Sequence, residues 1–355
     1  MPRAAPLDRW PRAAQSCFLA GLTALIGCVS EGEEPPLICA DGFVWDDTSE
    51  FCLEQALVPI EGDVLVSTEQ AMHALCAQGD AVTGDLVIAP GVVDLDPLDC
   101  VREVGGSIVI EDVPGLTSAS LPRLRRVGKD LRVQVDPDLL ELRLPALEST
   151  GGAVVVQYDP RLEVLEAPVL ASTGAFLSIY SNAALQEVSL PTLATVGPVD
   201  RSANQVLYVR LNNAATRISM PELTRVSGVL KLSSNDSVTE LDLGRLETLG
   251  MGMYLSYNRQ LRSLTIPVAE VGGFVYFDHT SATSIDLPRL ESVGASFNVI
   301  FNEDLTAISA PSLSRIGDAL IIADNPNLSQ VVIDAFVGGI EEVGGPTRVE
   351  GNGAR

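Results

Sequence analysis

The residues best suited to catalysis are Asp278 and His279, which lie just after Tyr276. A carboxylate beside an imidazole can move protons, and Arg210, expected on the same face, could stabilise negative charge that develops on a polysaccharide. Glycoside cleavage, however, uses two carboxylates. The outward residues expected near Asp278 are Ser233, Ser256 and Asn298. None of them is acidic, and nucleophile-elbow and Walker-type loops are absent from the sequence. We therefore expect no enzymatic activity, with a polysaccharide-acting enzyme as the alternative.

A second group of residues indicates binding. Tyrosines and basic residues recur at outward positions of one predicted strand: Arg132, Tyr180, Tyr208, Arg210, Lys231, Tyr254 and Tyr276. Tyr158 and Tyr257 follow one position later in their repeats. Tyrosine and arginine are enriched at binding hot spots. We expect these residues to form a strip that binds protein or glycan, rimmed by an insertion near Pro198–Asn204. The alternative is that the stacked rings only stabilise the sheet.

The cysteine count favours two disulfides. Four of the six lie beyond residue 28, and an even number in an exported protein favours disulfides. We expect Cys39 to pair with Cys52 and Cys76 with Cys100. A metal site built from the four is the weaker alternative, because no Cys-x-x-Cys pair is present. No metal or cofactor is expected.

The N-terminal 27 residues are typical of a secretory signal. Arginines at positions 3, 9 and 12 precede an apolar stretch from Phe18 to Ile26, which is too short to span a bilayer. The sequence Leu25-Ile26-Gly27-Cys28 resembles a bacterial lipobox, in which the cysteine is lipidated. We expect Cys28 to anchor the chain to the cell envelope, at the outer membrane or cell surface, and residues 28–61 to form a tether and a small disulfide loop. An ordinary cleaved signal is the alternative.

Charge excludes one class of partner. The chain carries a net charge of -24, which becomes -26 without the signal's three arginines and one aspartate. Only two basic residues are lysines, Lys129 and Lys231, and no basic cluster is present. Nucleic acid is therefore not expected as a partner.

The elements that would position these residues follow from a repeat. Twelve times between Thr83 and Gly344 the chain returns to a Val-Gly-Gly-like pattern, usually after 23 residues. A fixed period of this length is typical of a solenoid, whose coils bury their apolar faces on one another. Within one repeat, apolar residues alternate with strand period, as at Leu131 and Val133 and again at Leu142 and Leu144. We predict an all-β parallel solenoid of about 12 turns over residues 62–355, with two or three short strands in each.

Two further positions recur in the repeat. Proline marks the corner after the second strand, as at Pro145 and Pro168, where backbone pairing stops. The eighth residue after each register glycine is usually Asp or Asn: Asp136, Asp159, Asn182, Asn212, Asn235, Asn258, Asn302, Asn325 and Asn352. We expect these to form a structural ladder that satisfies backbone groups and tolerates left-handed conformations. The register glycines should lie where φ is positive or backbones approach closely.

The ends of the solenoid differ in sequence. Residues 67–76 have a hydroxyl N-cap candidate and helix formers, which predicts a short N-terminal cap helix. We expect no comparable helix at the C-terminal end.

The combined motif, seen in pieces at 139–156 and 305–325, resembles the receptor L domain, a leucine-rich, right-handed β-helix that builds ligand-binding ectodomains and occurs in bacterial surface proteins. The resemblance spans about residues 62–352 and includes the cap helix with Cys76 and Cys100. It implies a fold and a ligand-binding surface. No furin-like region, transmembrane helix or kinase accompanies it, so receptor signalling is not implied. Together these observations predict a lipid-anchored recognition or adhesion module, with a purely structural envelope protein as a further alternative.

Overall fold

The computed structural model describes residues 43–46, 51–198 and 206–353, with side chains from residue 55 onward except that of residue 206. The chain divides between Leu57 and Val58. Before this boundary, Phe43–Asp46 and Phe51–Glu54 form an antiparallel hairpin in which Trp45 lies opposite Cys52. Cys28, Cys39 and the predicted signal and tether up to residue 42 lie outside the described residues, as does the Cys52 side chain, so the Cys39–Cys52 pairing stays a prediction.

The remainder is a β-solenoid, as predicted. Most coils contain three short strands, for example Leu131–Gln134, Glu141–Arg143 and Ser149–Thr150. The 23-residue period places each strand beside its equivalent in the next coil, so that Leu131 pairs with Val154 in a parallel ladder. Two sheets of 13 strands and three sheets of three strands result. The predicted all-β fold and its stacked parallel coils are confirmed.

One 13-stranded sheet, here called the long sheet, takes one strand of three to five residues from each coil. Its strands are Val64–Val66, Leu86–Ile88, Ile108–Glu111, Leu131–Gln134, Val154–Gln157, Leu177–Tyr180, Val206–Arg210, Val229–Ser233, Gly252–Ser256, Phe274–Asp278, Phe297–Ile300, Leu320–Ala323 and Thr347–Glu350.

The other 13-stranded sheet, the short-strand sheet, contributes two residues from each coil. Its strands are Pro59–Ile60, Ala81–Val82, Glu103–Val104, Arg126–Val127, Ser149–Thr150, Ser172–Thr173, Thr195–Val196, Arg225–Val226, Thr248–Leu249, Glu270–Val271, Ser292–Val293, Arg315–Ile316 and Glu342–Val343. Its first strand precedes residue 62, so paired coils begin slightly before the predicted boundary.

The third face consists of three separate sheets. Their strands are Ser118–Ser120, Glu141–Arg143 and Val164–Glu166; Glu187–Ser189, Arg217–Ser219 and Glu240–Asp242; and Ser263–Thr265, Ser284–Asp286 and Ala307–Ser309. The core between the faces is filled by the inward residues of every strand, such as Leu131, Val133 and Leu142, which are at most 1% exposed.

Glycine is required where coils approach closely. A Cβ on Gly151 would lie 2.1 Å from the carbonyl oxygen of Gly128, and one on Gly174 would lie 2.0 Å from that of Gly151. Close backbone approach therefore explains the register glycines. Of these, only Gly197 has positive φ, so the alternative explanation by left-handed conformation fails for the rest.

The Asp/Asn ladder is confirmed. The Oδ1 of Asn235 accepts a hydrogen bond from the backbone N–H of Asn212 (3.2 Å), and its Nδ2 donates to the carbonyl of Val209 (3.0 Å). Equivalent bonds link most coils, and all ladder residues from Asp136 to Asn325 are at most 3% exposed. The left-handed residue, however, is not the ladder residue as predicted. It is the residue immediately before it, as at Tyr158 and Leu211.

Two α-helices interrupt the coils in the described residues. Helix α1, Glu69–Cys76, is the predicted cap helix, and Thr68 Oγ1 accepts a hydrogen bond from the N–H of Ala71 (3.1 Å). The predicted Cys76–Cys100 disulfide joins α1 to the region after a 3₁₀ turn at Asp96–Leu98.

Helix α2, Gln330–Gly338, overturns the expectation that the C-terminal end has no helix. It begins after Ser329, whose side chain accepts a hydrogen bond from Val332 N–H. It buries Ile333 and Phe336, the latter against Phe297. In the last coil, α2 takes the place in the chain that a third-face strand occupies in most other coils. No helix in the described residues is long and apolar enough to cross a bilayer.

Candidate functional site

Four of the predicted site residues form one continuous column on the outer surface of the long sheet. Register pairs Tyr208 with Lys231, Lys231 with Tyr254, and Tyr254 with Tyr276. Side chains alternate across a strand, and the residues between them, such as Leu207 and Val209, are fully buried. The column therefore points away from the core, and its side chains are half-buried by one another.

Stacking holds these side chains together. The rings of Tyr254 and Tyr276 are 5.1 Å apart between centroids and 10° from parallel. Lys231 Nζ lies 5.5 Å from the Tyr208 ring centroid and 5.0 Å from that of Tyr254. Each such cation–π contact stabilises a partly exposed site by about 0.5–1 kcal/mol. The ammonium group thus bridges two rings two coils apart.

Tyr180 and Arg210 occupy the adjacent outward column, where they pair in register. Arg210 Nη1 donates a hydrogen bond to the Tyr208 hydroxyl (3.1 Å), which raises the pKa of Arg210. The Tyr180 ring lies 5.5 Å from Tyr208 and 5.0 Å from Tyr158, in the latter case edge to face. The hydrogen bond with Tyr180 raises the pKa of the Tyr158 hydroxyl.

These contacts define one surface, which we call the tyrosine row: Tyr158, Tyr180, Tyr208, Arg210, Lys231, Tyr254 and Tyr276. It contains six of the seven predicted site residues and crosses six consecutive coils. The predicted rim, Pro198–Asn204, lies outside the described residues except for Pro198.

Arg132 does not belong to the row. It shares a column with Tyr208, but Val155 and Ser178 lie between them. Its guanidinium instead pairs with Asp130 (2.5 Å). The sequence correctly predicted that Arg132 faces outward. The intervening coils nevertheless keep it from contacting the other predicted site residues.

A second column of side chains lies beside the tyrosine row, and for binding the sequence pointed only to its members Tyr158 and Tyr257. Ten non-glycine residues have φ between 48° and 61°, one in each of ten coils: Asp112, Val135, Tyr158, Ser181, Leu211, Ser234, Tyr257, His279, Phe301 and Asp324. In this column the His279 ring stacks on Tyr257, with ring centroids 4.7 Å apart, and lies tilted by 33° against Phe301, with centroids 5.1 Å apart. Tyr257 and Phe301 are 40% and 43% exposed. Tyr257 and Phe301 can be located in the sequence because each directly precedes a ladder residue.

A left-handed backbone is unfavourable for bulky residues, costing of order 1 kcal/mol or more. Glycine would avoid this cost, yet at these corners the chain carries Val, Leu, Tyr, His and Phe. Stacking along the column offsets part of the strain. The aromatic surface of this side of the solenoid therefore extends from the tyrosine row around the corner.

The candidate catalytic pair is present but isolated. Asp278 Oδ1 contacts His279 Nδ1, and Asp278 is 8% exposed. Its register neighbours are Ser256 and Ile300, so no second carboxylate adjoins it in the column. Burial, followed by the charge of Asp278, raises the pKa of Tyr276. No cluster of three potential metal ligands occurs among the described residues. The geometry offers one proton-transfer pair without the second carboxylate that glycoside cleavage needs.

Comparison of the chain with models of protein families, with curated proteins and with solved structures gives no match.

Proposed function

We propose that this protein is a lipid-anchored lipoprotein of the cell envelope or cell surface whose solenoid is a non-catalytic recognition or adhesion module. The tyrosine row binds a protein or glycan of the envelope or of a neighbouring cell, and Cys28 carries the anchor. The resemblance to receptor L domains, which build ligand-binding ectodomains, supports this proposal.

One observation carries the proposal: the continuous contact from Tyr158 to Tyr276 across six coils. Tyrosine presents a large, rigid and amphipathic surface whose ordering on binding costs little entropy. A row of such side chains on a stacked sheet is already held in place before a ligand arrives. Preorganisation of this kind increases affinity because little is left to order.

An alternative is that the rings only stabilise the sheet, as cross-strand aromatic pairs do elsewhere. Two features favour binding. Lys231 is a charged side chain between two rings, where another aromatic residue would stack better. Around the corner, exposed rings also occupy strained backbone positions.

The experiment compares purified wild-type protein with a Tyr208→Ala, Tyr254→Ala, Tyr276→Ala triple variant for binding to isolated envelope fractions. The control variant is Val93→Ala, Val169→Ala, Val331→Ala, which truncates three exposed apolar side chains outside the long sheet. We expect the tyrosine variant to lose binding and the valine variant to keep it, with both folded by circular dichroism. Equal binding by folded wild type and tyrosine variant would support the purely structural alternative.

Treating the envelope fraction beforehand identifies the class of ligand. Loss of binding after protease treatment indicates a protein, and loss after periodate oxidation indicates a glycan. Turnover of the bound glycan into shorter chains would instead favour the enzymatic alternative.

A further inference from the structure

Lys231 is the least expected member of the tyrosine row. The chain holds 47 acidic and 23 basic residues, and many of its arginines form ion pairs, as Arg143 does with Glu141 and Glu166. Lys231, in contrast, pairs with no carboxylate of the described residues, and its ammonium group contacts two rings instead.

Arg210 lies beside it and shares this property. Its Nη1 donates to the Tyr208 hydroxyl, and it too forms no ion pair with a carboxylate of the described residues. Arg210 pairs in register with Ser233, and Tyr208 pairs with Lys231 in the same two strands. The two cations therefore lie on adjacent coils with Tyr208 between them.

The orientation of the rings restricts the class of ligand that the row can bind. Tyr254 and Tyr276 stack face to face along the solenoid, and the Lys231 ammonium group contacts the rings of both Tyr208 and Tyr254. The faces of Tyr208 and Tyr254 are thus engaged within the row by Tyr180, Lys231 and Tyr276, which leaves the edges and hydroxyl groups of these two rings for a ligand. A sugar ring stacks on an open aromatic face, whereas ring edges carry partial positive charge and attract anions.

We propose that Lys231 and Arg210, framed by the edges and hydroxyls of Tyr208 and Tyr254, bind carboxylate side chains of an acidic polypeptide segment. This inference rests on the proposed function and names the chemistry of the partner. Local charge complementarity at the centre of the row supplies the specificity. The negative charge of the rest of the chain disfavours binding of the same segment elsewhere.

The test uses the purified full-length protein and a fluorescein-labelled oligo-L-glutamate, followed by fluorescence anisotropy, with oligo-L-glutamine as the neutral probe. Lys231→Met removes the charge while keeping a flexible chain of similar length between the rings. Lys129→Met is the matched control, because Lys129 is the only other lysine and its side chain is 68% exposed. Lys231→Arg restores the charge.

We expect oligo-L-glutamate to bind wild type and oligo-L-glutamine not to bind. Lys231→Met should weaken binding by about tenfold or more, as expected for loss of one charge from a desolvated pair. Lys129→Met should stay within about twofold of wild type, and Lys231→Arg should recover most of the affinity. Thermal unfolding of each variant checks that the fold is retained.

Absence of oligo-L-glutamate binding, or an equal effect of the two methionine variants, would overturn this inference. Binding of oligogalacturonate in place of oligo-L-glutamate, with the same dependence on Lys231, would also overturn it, because the carboxylate would then belong to a glycan. The proposed function would survive either result if the triple tyrosine variant still lost envelope binding. It would fall separately if that variant bound normally.

Discussion

Asp159 accepts a hydrogen bond at Oδ1 from the backbone N–H of Asp136 (2.9 Å), while its Oδ2 is buried without a partner. The next ladder residue, Asn182, has an Nδ2 at the equivalent place, which donates to the carbonyl of Val156 (3.0 Å). A protonated Asp159 could donate in the same way, whereas a carboxylate could not. Burial raises the pKa of Asp159 to about 7 and that of Asp136 to about 6.

A pH dependence of stability follows. Because the folded-state pKa of Asp159 lies above its ordinary value of 3.8, its contribution to stability is complete below about pH 4 and is lost as pH rises through about 7. Asp159→Asn provides a permanent donor and should raise the free energy of unfolding at pH 8 by about 1–3 kcal/mol. Its advantage over wild type should shrink towards pH 4. Urea unfolding across pH 4–8 measures this.

Asp99→Asn serves as the control, because it makes the same change in charge at an exposed position. An Asp159→Asn variant no more stable than this control at pH 8 would show that the buried carboxylate is satisfied in some other way.

Asn212 and Asn213 offer a matched comparison within one turn. Asn212 is fully buried, accepts a hydrogen bond from Asn182 N–H (3.2 Å) and donates to the carbonyl of Ile179 (2.9 Å). Asn213 is exposed. Asn212→Ala leaves a donor and an acceptor of the backbone unpaired and should cost about 2–5 kcal/mol, whereas Asn213→Ala should cost less than about 0.5 kcal/mol. Equal costs in urea unfolding would contradict a structural ladder.

Gly151 tests the close approach of coils. Its Cβ in a Gly151→Ala variant would lie 2.1 Å from the Gly128 carbonyl oxygen, so the coils must separate locally. We expect a loss of about 2–5 kcal/mol in the free energy of unfolding. Gly338→Ala, at the end of α2, should be neutral or slightly stabilising, because the added Cβ would meet no group within 4 Å beyond its chain neighbours and the helix backbone. Tolerance of Gly151→Ala would require another reason for the glycine.

Much of this architecture was readable from the sequence because the repeat constrains every coil alike. Offsets from the register glycine predicted which residues of Leu131–Gln134 face inward, and the same offsets located Tyr208, Lys231, Tyr254 and Tyr276 on one surface. Helix α1 followed from its capping residues, and the Cys76–Cys100 disulfide was predicted because these two cysteines remain once Cys39 is paired with Cys52. A repeated pattern is informative because shifting a strand by one residue would turn its core side chains towards solvent.

The remaining features depend on contacts that offsets do not encode. Helix α2 lies in the unusually long interval between Gly317 and Gly344. The sequence features that indicate it are the capping residue Ser329 and the apolar residues Ile333 and Phe336. Arg132 faces outward as predicted, but it lies too many coils from Tyr208 to contact it. The stacked column through His279 was missed because its left-handed backbone was assigned to the neighbouring ladder residue. The ring stacking and the cation–π contacts within the row depend on ring positions that the repeat pattern does not specify.

The proposed anchor predicts where the solenoid lies in the cell. Protease added to intact cells should cleave wild-type protein, and the Cys28→Ser variant should be released from the membrane fraction, because the substitution removes the proposed acyl anchor. Immunoblots of cells, membranes and medium measure both. Protection of the wild type would instead place the solenoid towards the periplasm or cell wall. Retention of Cys28→Ser in membranes would contradict lipid anchoring at this residue.

The most direct test of the tyrosine row is hydroxyl-radical footprinting of wild-type protein, alone and bound to its envelope fraction, read by mass spectrometry. Tyr254 and Tyr276 should lose most of their oxidation on binding, while His73 on α1, whose side chain is 65% exposed, should be oxidised equally in both samples. Protection confined to the row is the result that this account predicts. Unchanged oxidation of both tyrosines in the bound protein would contradict recognition through this surface.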